Sequence, residues 1–302
     1  DLFAFYSDGN QAPPLAPRAV CADLRELLPD VTEDSLLPGL FDLLTQDGAL
    51  YVLPLTVRVD TLIMPSNLID SPGVTLEDLE TARENMPSGW VPVDSWNTPE
   101  NLFGLTAAFC IGRFVDRETG TCRFETQEFI DILDWCKNWG GDGSTPEAPE
   151  KTLMKLGWIS SLSWLASRED IAKEWFDGAG YTYAGYPVGE GGSAYLVLTS
   201  LGVSTSCQNL AGAKAFLAYC FSGKQESGLP ANMEVLREEL AQYKAGNRTD
   251  WYGEVENISE ADEAKFLELL SSVTVLEGMD QALENILSEE ADAYFAGAAT
   301  AQ

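Results

Sequence analysis

The sequence predicts an α/β protein organised as two lobes, and three observations carry that reading. Short apolar runs alternate with amphipathic helical patterns along the chain, the order of elements that builds a sheet covered by helices. With 302 residues, 45% of them hydrophobic, the chain is long enough for two lobes rather than one compact unit. No G-x-G-x-x-G follows a strand-like run, so the architecture is not a single uninterrupted dinucleotide-binding series.

In order along the chain, Asp1 to Tyr6 is a short apolar strand that delivers the polar turn Ser7-Asp8-Gly9-Asn10. A Pro-rich passage leads to short helices near Ala22–Leu28 and Thr32–Leu44. After the turn at Asp47-Gly48, Leu50 to Met64 reads as a long, β-branched strand. Thr75 is placed to cap a helix running to Glu84, with acidic residues in its first turn. Trp90 to Thr98 is a loop carrying two tryptophans, followed by a helix to about Phe114. Thr126 opens the clearest helix: Phe129, Ile132, Leu133 and Cys136 recur at helical spacing and Gly140 ends it. Residues 140–148 form the most linker-like loop, and residues 152–206 alternate apolar runs with glycine breaks. A helix capped by Ser206 is expected to turn Leu210, Ala213, Phe216, Leu217 and Cys220 inward. Two more follow, Ser259–Ser272 and Met279–Phe295, the latter with Met279, Leu283, Ile286, Leu287 and Tyr294 on one face and Gly297 just past its end.

Composition excludes several functions. Eighteen basic against 48 acidic residues give a net charge of -30, a surface that repels nucleic acid and anionic membrane. There is no histidine, which removes Ser-His and Cys-His catalysis and every His-containing zinc site. The six cysteines form no C-x-x-C pair, and Cys136 and Cys220, on apolar helix faces, read as buried thiols. The acidic stretch Asp250–Glu263 lacks the spacing of a calcium loop, so no metal site and no cofactor is expected. No apolar run reaches the roughly 20 residues of a membrane-spanning helix. Asp1 is not an initiator Met and no basic-then-apolar leader follows it, so the chain reads as a mature protein or a fragment of one.

Six segments carry a family resemblance. They are Asp47–Leu62, Thr75–Leu79, Phe114–Phe124 with Glu128-Phe129, Gly185-Tyr186-Pro187 with Leu201–Ser206, Gly228–Asn232, and Glu289–Gly297. In this order they resemble the extracellular solute-binding proteins of carbohydrate ABC importers, the maltose-binding-protein-like family. The resemblance implies a type II periplasmic-binding-protein-like fold that closes over its solute by hinge motion. Asp1–Phe5 is similar to a strand that in the family follows two earlier ones, so the first lobe is expected to be incomplete. The corresponding division is residues 1–56 and 204–232 for the first lobe, and 57–203 and 233–302 for the second.

The same resemblance implies where a solute would be held. Tyr6, Ser7 and Asp8, past the first strand, would line the first-lobe wall. Arg58 stands where the maltose-binding member has a ligand-contacting acid; a guanidinium there would hold a carboxylate or phosphate, or pair with an acid such as Asp8. Trp158 matches an aromatic platform of the sugar binders, and Trp96 with Asn97 lies on the loop after a crossing. The function implied is capture, without chemistry, of a small polar solute, a sugar or oligosaccharide. The expected partners are the importer's permease subunits, with no nucleic acid, and the expected assembly is a monomer. The expected location is extracellular or periplasmic, with a lipid anchor on a segment before Asp1. A glycoside-processing enzyme and a surface interaction module are the competing classes, since both tolerate a chain rich in acids and tryptophans.

Overall fold

The computed structural model describes residues 1–7, 20–116, 119–189, 191–223, 228–250, 252–278 and 281–301. Its principal strands are β1 (Leu2–Tyr6), β2 (Leu53–Pro65), β3 (Lys155–Ile159), β4 (Tyr181–Tyr183), β5 (Ser193–Val203), β6 (Leu229–Pro230) and β7 (Val273–Leu276). Its helices are α1 (Leu24–Leu27), α2 (Leu40–Leu44), α3 (Leu76–Glu84), α4 (Pro99–Phe114), α5 (Gln127–Trp139), α6 (Arg168–Trp175), α7 (Leu210–Phe221), α8 (Met233–Lys244), α9 (Glu260–Ser271) and α10 (Gln281–Phe295). The chain forms two compact units: Asp1–Asp60 with Trp158–Asp170 and Ala194–Glu277, and Thr61–Gly157 with Ile171–Ser193 and Gly278–Gln302.

In the first unit, β1 pairs antiparallel with β5 from Leu2↔Val203 to Tyr6↔Thr199. Strand β5 pairs in turn with the first part of β2, from Leu53↔Leu201 to Asp60↔Ala194, and the register slips on both sides of Thr56. Pro54 lies next to the slip, a position where a missing N–H is tolerated. Strand β6 pairs with β2, and β7 pairs with β5. Leu53, Val57 and Val59 of β2 are fully buried, as are Leu24, Leu40, Leu217, Leu236 and Leu270 from the surrounding helices. The Tyr195 hydroxyl crosses this core to donate to the Pro38 carbonyl at 3.1 Å. Residues 233–277, expected from sequence in the second lobe, cluster with this unit. The physical reason is tertiary packing: α8 lies against β6, which pairs with β2, and β7, after α9, pairs with β5.

The second unit takes the remainder of β2, which pairs with β4 from Ile63↔Tyr183 to Pro65↔Tyr181. Every residue of β4 is buried, so its alternating tyrosines leave no open face. Helices α4, α5 and α10 lock through rings: Phe129 of α5 meets Phe103 and Phe114 of α4 edge-on, and Phe295 of α10 meets Phe103. The stripe read from sequence on α5 is buried, together with Trp135 and Trp139. The Trp139 indole donates to Glu80 of α3 at 2.7 Å. Thr75 caps α3 in a reciprocal box with Asp78, as the sequence predicts.

Two helices differ from their sequence reading. Asn209, not Ser206, caps α7 by accepting from the Gly212 amide. The helix therefore starts later, and only the narrow stripe Ala213, Leu217, Cys220 is buried, leaving Leu210 and Phe216 exposed. On α10, Leu287 and Ala291 form the buried line while Ile286 is exposed; Met279 lies outside the described residues. All six cysteines are thiols, four of them buried, and burial pushes Cys110 up to about 12.

The motif Gly185-Tyr186-Pro187 has a steric basis. Gly185 has φ +79°, and a Cβ there would lie 2.5 Å from the Gly192 carbonyl oxygen, the acceptor of the Tyr186 amide at 2.6 Å. Gly185→Ala should cost about 2–4 kcal/mol, measured by urea unfolding; a loss below about 0.5 kcal/mol would show that this turn relaxes freely.

Candidate functional site

Strand β2 is almost continuously buried, yet it carries Arg58 and Asp60, two residues apart and so on one face. The Arg58 Nε and Nη2 donate to the two Asp60 carboxylate oxygens, each at 2.6 Å. Nη2 also lies 3.8 Å from Glu277 Oε2. Glu277 follows β7 directly, and its amide donates to the Tyr195 carbonyl of β5 at 2.8 Å. Both carboxyls are buried, and Arg58 retains 15% of its side-chain exposure.

One cation therefore faces two carboxyls. Burial pushes Asp60 upward, opposed by its hydrogen bonds and charge contact with Arg58. Burial and then the Asp60 charge push Glu277 well above the usual carboxylate range. Glu277, the carboxyl farther from the guanidinium, is the one held well above its ordinary range. Its second oxygen, Oε1, has no hydrogen-bond partner among the described residues.

The other sequence-derived positions are distributed over both units. Tyr6 ends β1, is 70% exposed and pairs with Thr199, which itself pairs with Thr56 of β2. The Ser7 amide continues that pairing by donating to Leu198 at 2.9 Å; Asp8 lies outside the described residues. Trp158 on β3 is 37% exposed. In the second unit, Trp96 is 47% exposed while the adjacent Asn97 is buried, its Nδ2 without a hydrogen-bond partner among the described residues. Arg58 is thus joined to Asp60 and Glu277, and Trp96 to Asn97. Sequence reasoning missed Asp60, whose i+2 spacing from Arg58 was a usable signal, and Glu277, which only tertiary pairing brings near.

A cavity of about 480 Å³ in the first unit includes Thr56, Ser161, Asn232, Glu239 and Arg248 in its walls. Asn232 is used there to cap α8, and Glu239 pairs with Arg248, so these polar side chains already have internal partners. Among the described residues no cluster of three or more His, Cys, Asp or Glu could hold a metal ion, and no helix is long and apolar enough to cross a membrane.

No family model matches the chain, and no curated protein matches it by sequence. Solved structures do. The sugar-binding protein MalE from the phytopathogen Xanthomonas citri is 16% identical with a TM-score of 0.63, over 100% of this chain and 80% of that one. The cyclic alpha-maltosyl-1,6-maltose binding protein from Arthrobacter globiformis is 17% identical with a TM-score of 0.57, over 93% and 76%. An ABC transporter solute binding protein from Thermotoga lettingae, bound with alpha-D-tagatose, is 15% identical with a TM-score of 0.50, over 99% and 80%. These likenesses establish the class: an α/β chain with the periplasmic-binding-protein-like fold. Within that class the fold is that of the MalE-like solute-binding proteins, as the sequence motifs imply.

The Glu277 proton gives the cluster a pH signature. The unfolded chain releases it near pH 4.3, whereas the folded protein holds it to higher pH. Stability tied to this proton is complete below the unfolded value and is lost as pH rises through the folded one. Glu277→Gln removes the titrating group and keeps the shape, so its stability relative to wild type should improve as pH rises from about 4.5 upward. Urea unfolding across that range reads the difference; a flat one would refute a protonated Glu277. Arg58→Met, which leaves the buried carboxyls without their cation, should cost about 3–5 kcal/mol at pH 7 and less in acid.

Proposed function

We propose that this chain is the substrate-binding component of an ABC importer and that its solute is a neutral, hydroxyl-rich molecule, a sugar or oligosaccharide. It works outside the cytoplasmic membrane, delivers the solute to permease subunits and performs no chemistry on it. The observation that carries the choice of solute is the charge balance at Arg58. A guanidinium bound through two 2.6 Å bonds to Asp60 and backed by Glu277 is not an open receptor for a carboxylate or phosphate. The fold supports the binding role, because the solved proteins it resembles include sugar-binding and maltose-type ones.

Trp158 in the first unit and Trp96 in the second are each exposed enough to offer an apolar face to a sugar ring. Tyr6 and Ser7 contribute from the end of β1. Among the described residues, the strongly perturbed carboxyl pair gives the hydrolase reading little support. Asp60 and Glu277 are buried and hydrogen-bonded to each other, whereas glycosidase carboxyls stand about 5 Å or more apart around an accessible bond.

Neutral oligosaccharides such as maltotriose and mannotriose should raise the melting temperature with no release of reducing sugar, while sugar phosphates and citrate should not. Trp158→Ala should weaken the responding glycan by about tenfold or more. A shift produced only by anions would overturn the neutral-solute reading, and turnover that survives purification would overturn the binding-only one.

A further inference from the structure

The loop that carries Trp96 is held far more tightly than an exposed residue requires. Segments 91–95 and 150–154 run side by side, joined by a parallel bridge between Val91 and Thr152. Val91 donates to Lys151 at 3.0 Å, Leu153 to Val91 at 2.9 Å and Met154 to Pro92 at 3.0 Å. A charged side chain then clamps the loop at each end of the second segment. Glu150 accepts from the Ser95 amide at 2.7 Å and from the Ser95 hydroxyl at 2.5 Å. Lys155 reaches Asp94 at 2.6 Å in a pair that is mostly buried on both sides.

The backbone on the other side is equally committed. Gly141 donates to the Asn97 carbonyl at 2.6 Å and Gly143 to the Ser95 carbonyl at 2.8 Å. The approach is so close that a Cβ on Gly141 would lie 2.2 Å from the Ser95 oxygen, and one on Gly140 would lie 2.3 Å from the Pro99 nitrogen. Asn97 donates to Asp94 at 2.8 Å and Thr98 to Trp96 at 3.2 Å, and Asn101 Nδ2 bonds the Trp96 carbonyl at 3.3 Å. Every residue from Asp94 to Thr98 is tied by at least one of these bonds. The side chain at the centre of the scaffold is nonetheless an indole left 47% exposed.

Burial of Trp96 does not explain that expenditure of hydrogen bonds; pre-organisation of the ring does. We propose that Glu150, with the Lys155–Asp94 pair and Gly141, is a positioning residue that fixes Trp96 in advance as a stacking platform for a sugar ring. A platform already immobilised loses little conformational entropy when the sugar arrives, so the scaffold contributes to affinity without touching the ligand. The inference rests on the sugar-binding reading and adds to it the residues that hold the platform.

A double-mutant cycle separates this role from ordinary structural support. Affinity for maltotriose and mannotriose is measured by calorimetric titration for wild type, Glu150→Gln, Trp96→Ala and the double variant, with melting temperatures alongside. Ser95→Ala, which removes only the hydroxyl bond to Glu150, is the milder probe should Glu150→Gln fold poorly. Glu150→Gln should weaken binding about 5–20-fold in the wild-type background and leave it unchanged in Trp96→Ala, because its effect passes through the ring. An equal loss in both backgrounds, or no loss in either, would overturn the positioning role while leaving the sugar-binding reading intact. Wild type that binds neither trisaccharide at millimolar concentration would overturn that reading, and this inference with it.

Discussion

A guanidinium carried into a buried strand must be neutralised where it stands, and the first unit is arranged around that requirement at Arg58. Isolated charges in a protein interior cost several kcal/mol each, so β2 carries its own counter-ion two residues later, on the same face. The pair leaves only 15% of the Arg58 side chain exposed. Glu277 then lies at the periphery of an already neutral pair, where burial and the Asp60 charge push its carboxyl well above the ordinary range. The cluster also marks where the chain divides, since Asp60 and Glu277 are each the last residue of a first-unit segment.

Local chemistry made a large share of this fold legible. The Thr75 box, the α5 stripe and the long crossing strand all depend on residues within a few positions of each other, and the structure reproduces them. The misreadings have a common cause in competition between near-equivalent local choices. Ser206 and Asn209 can both cap a helix; the acceptor that reaches the Gly212 amide is the one that does. The six apolar residues from Leu210 to Phe221 that are not alanine or glycine offered several inward faces, and packing selected the narrowest. The placement of residues 233–277 was beyond sequence periodicity, because it follows from a strand pairing between distant segments.

The candidate site was legible to a different degree. Exposed tryptophans and an arginine in an apolar strand stand out in any sequence, because each is costly unless used or paired. What holds them does not stand out. Glu150 is one of 48 acidic residues, and nothing in its neighbourhood distinguishes it before the chain folds. Its two bonds to Ser95 appear only when segments 91–95 and 150–154 lie together. Gly140 reads as a helix stop, which it is, and Gly141 as part of the linker-like loop. Their second use, admitting the Ser95 and Pro99 backbones to within 2.3 Å of where a side chain would begin, required the partner strand to be seen.

Global charge and local charge argue for the same kind of solute. At -30, the protein surrounds itself with a negative potential that lowers the local concentration of anions and slows their encounter. Salt screens that field beyond about 8–10 Å, so long-range repulsion alone cannot set specificity. The final discrimination falls to whatever cation a site can offer, and Arg58 is already neutralised by Asp60. An anion would have to displace a bidentate intramolecular carboxylate. A neutral sugar meets neither obstacle.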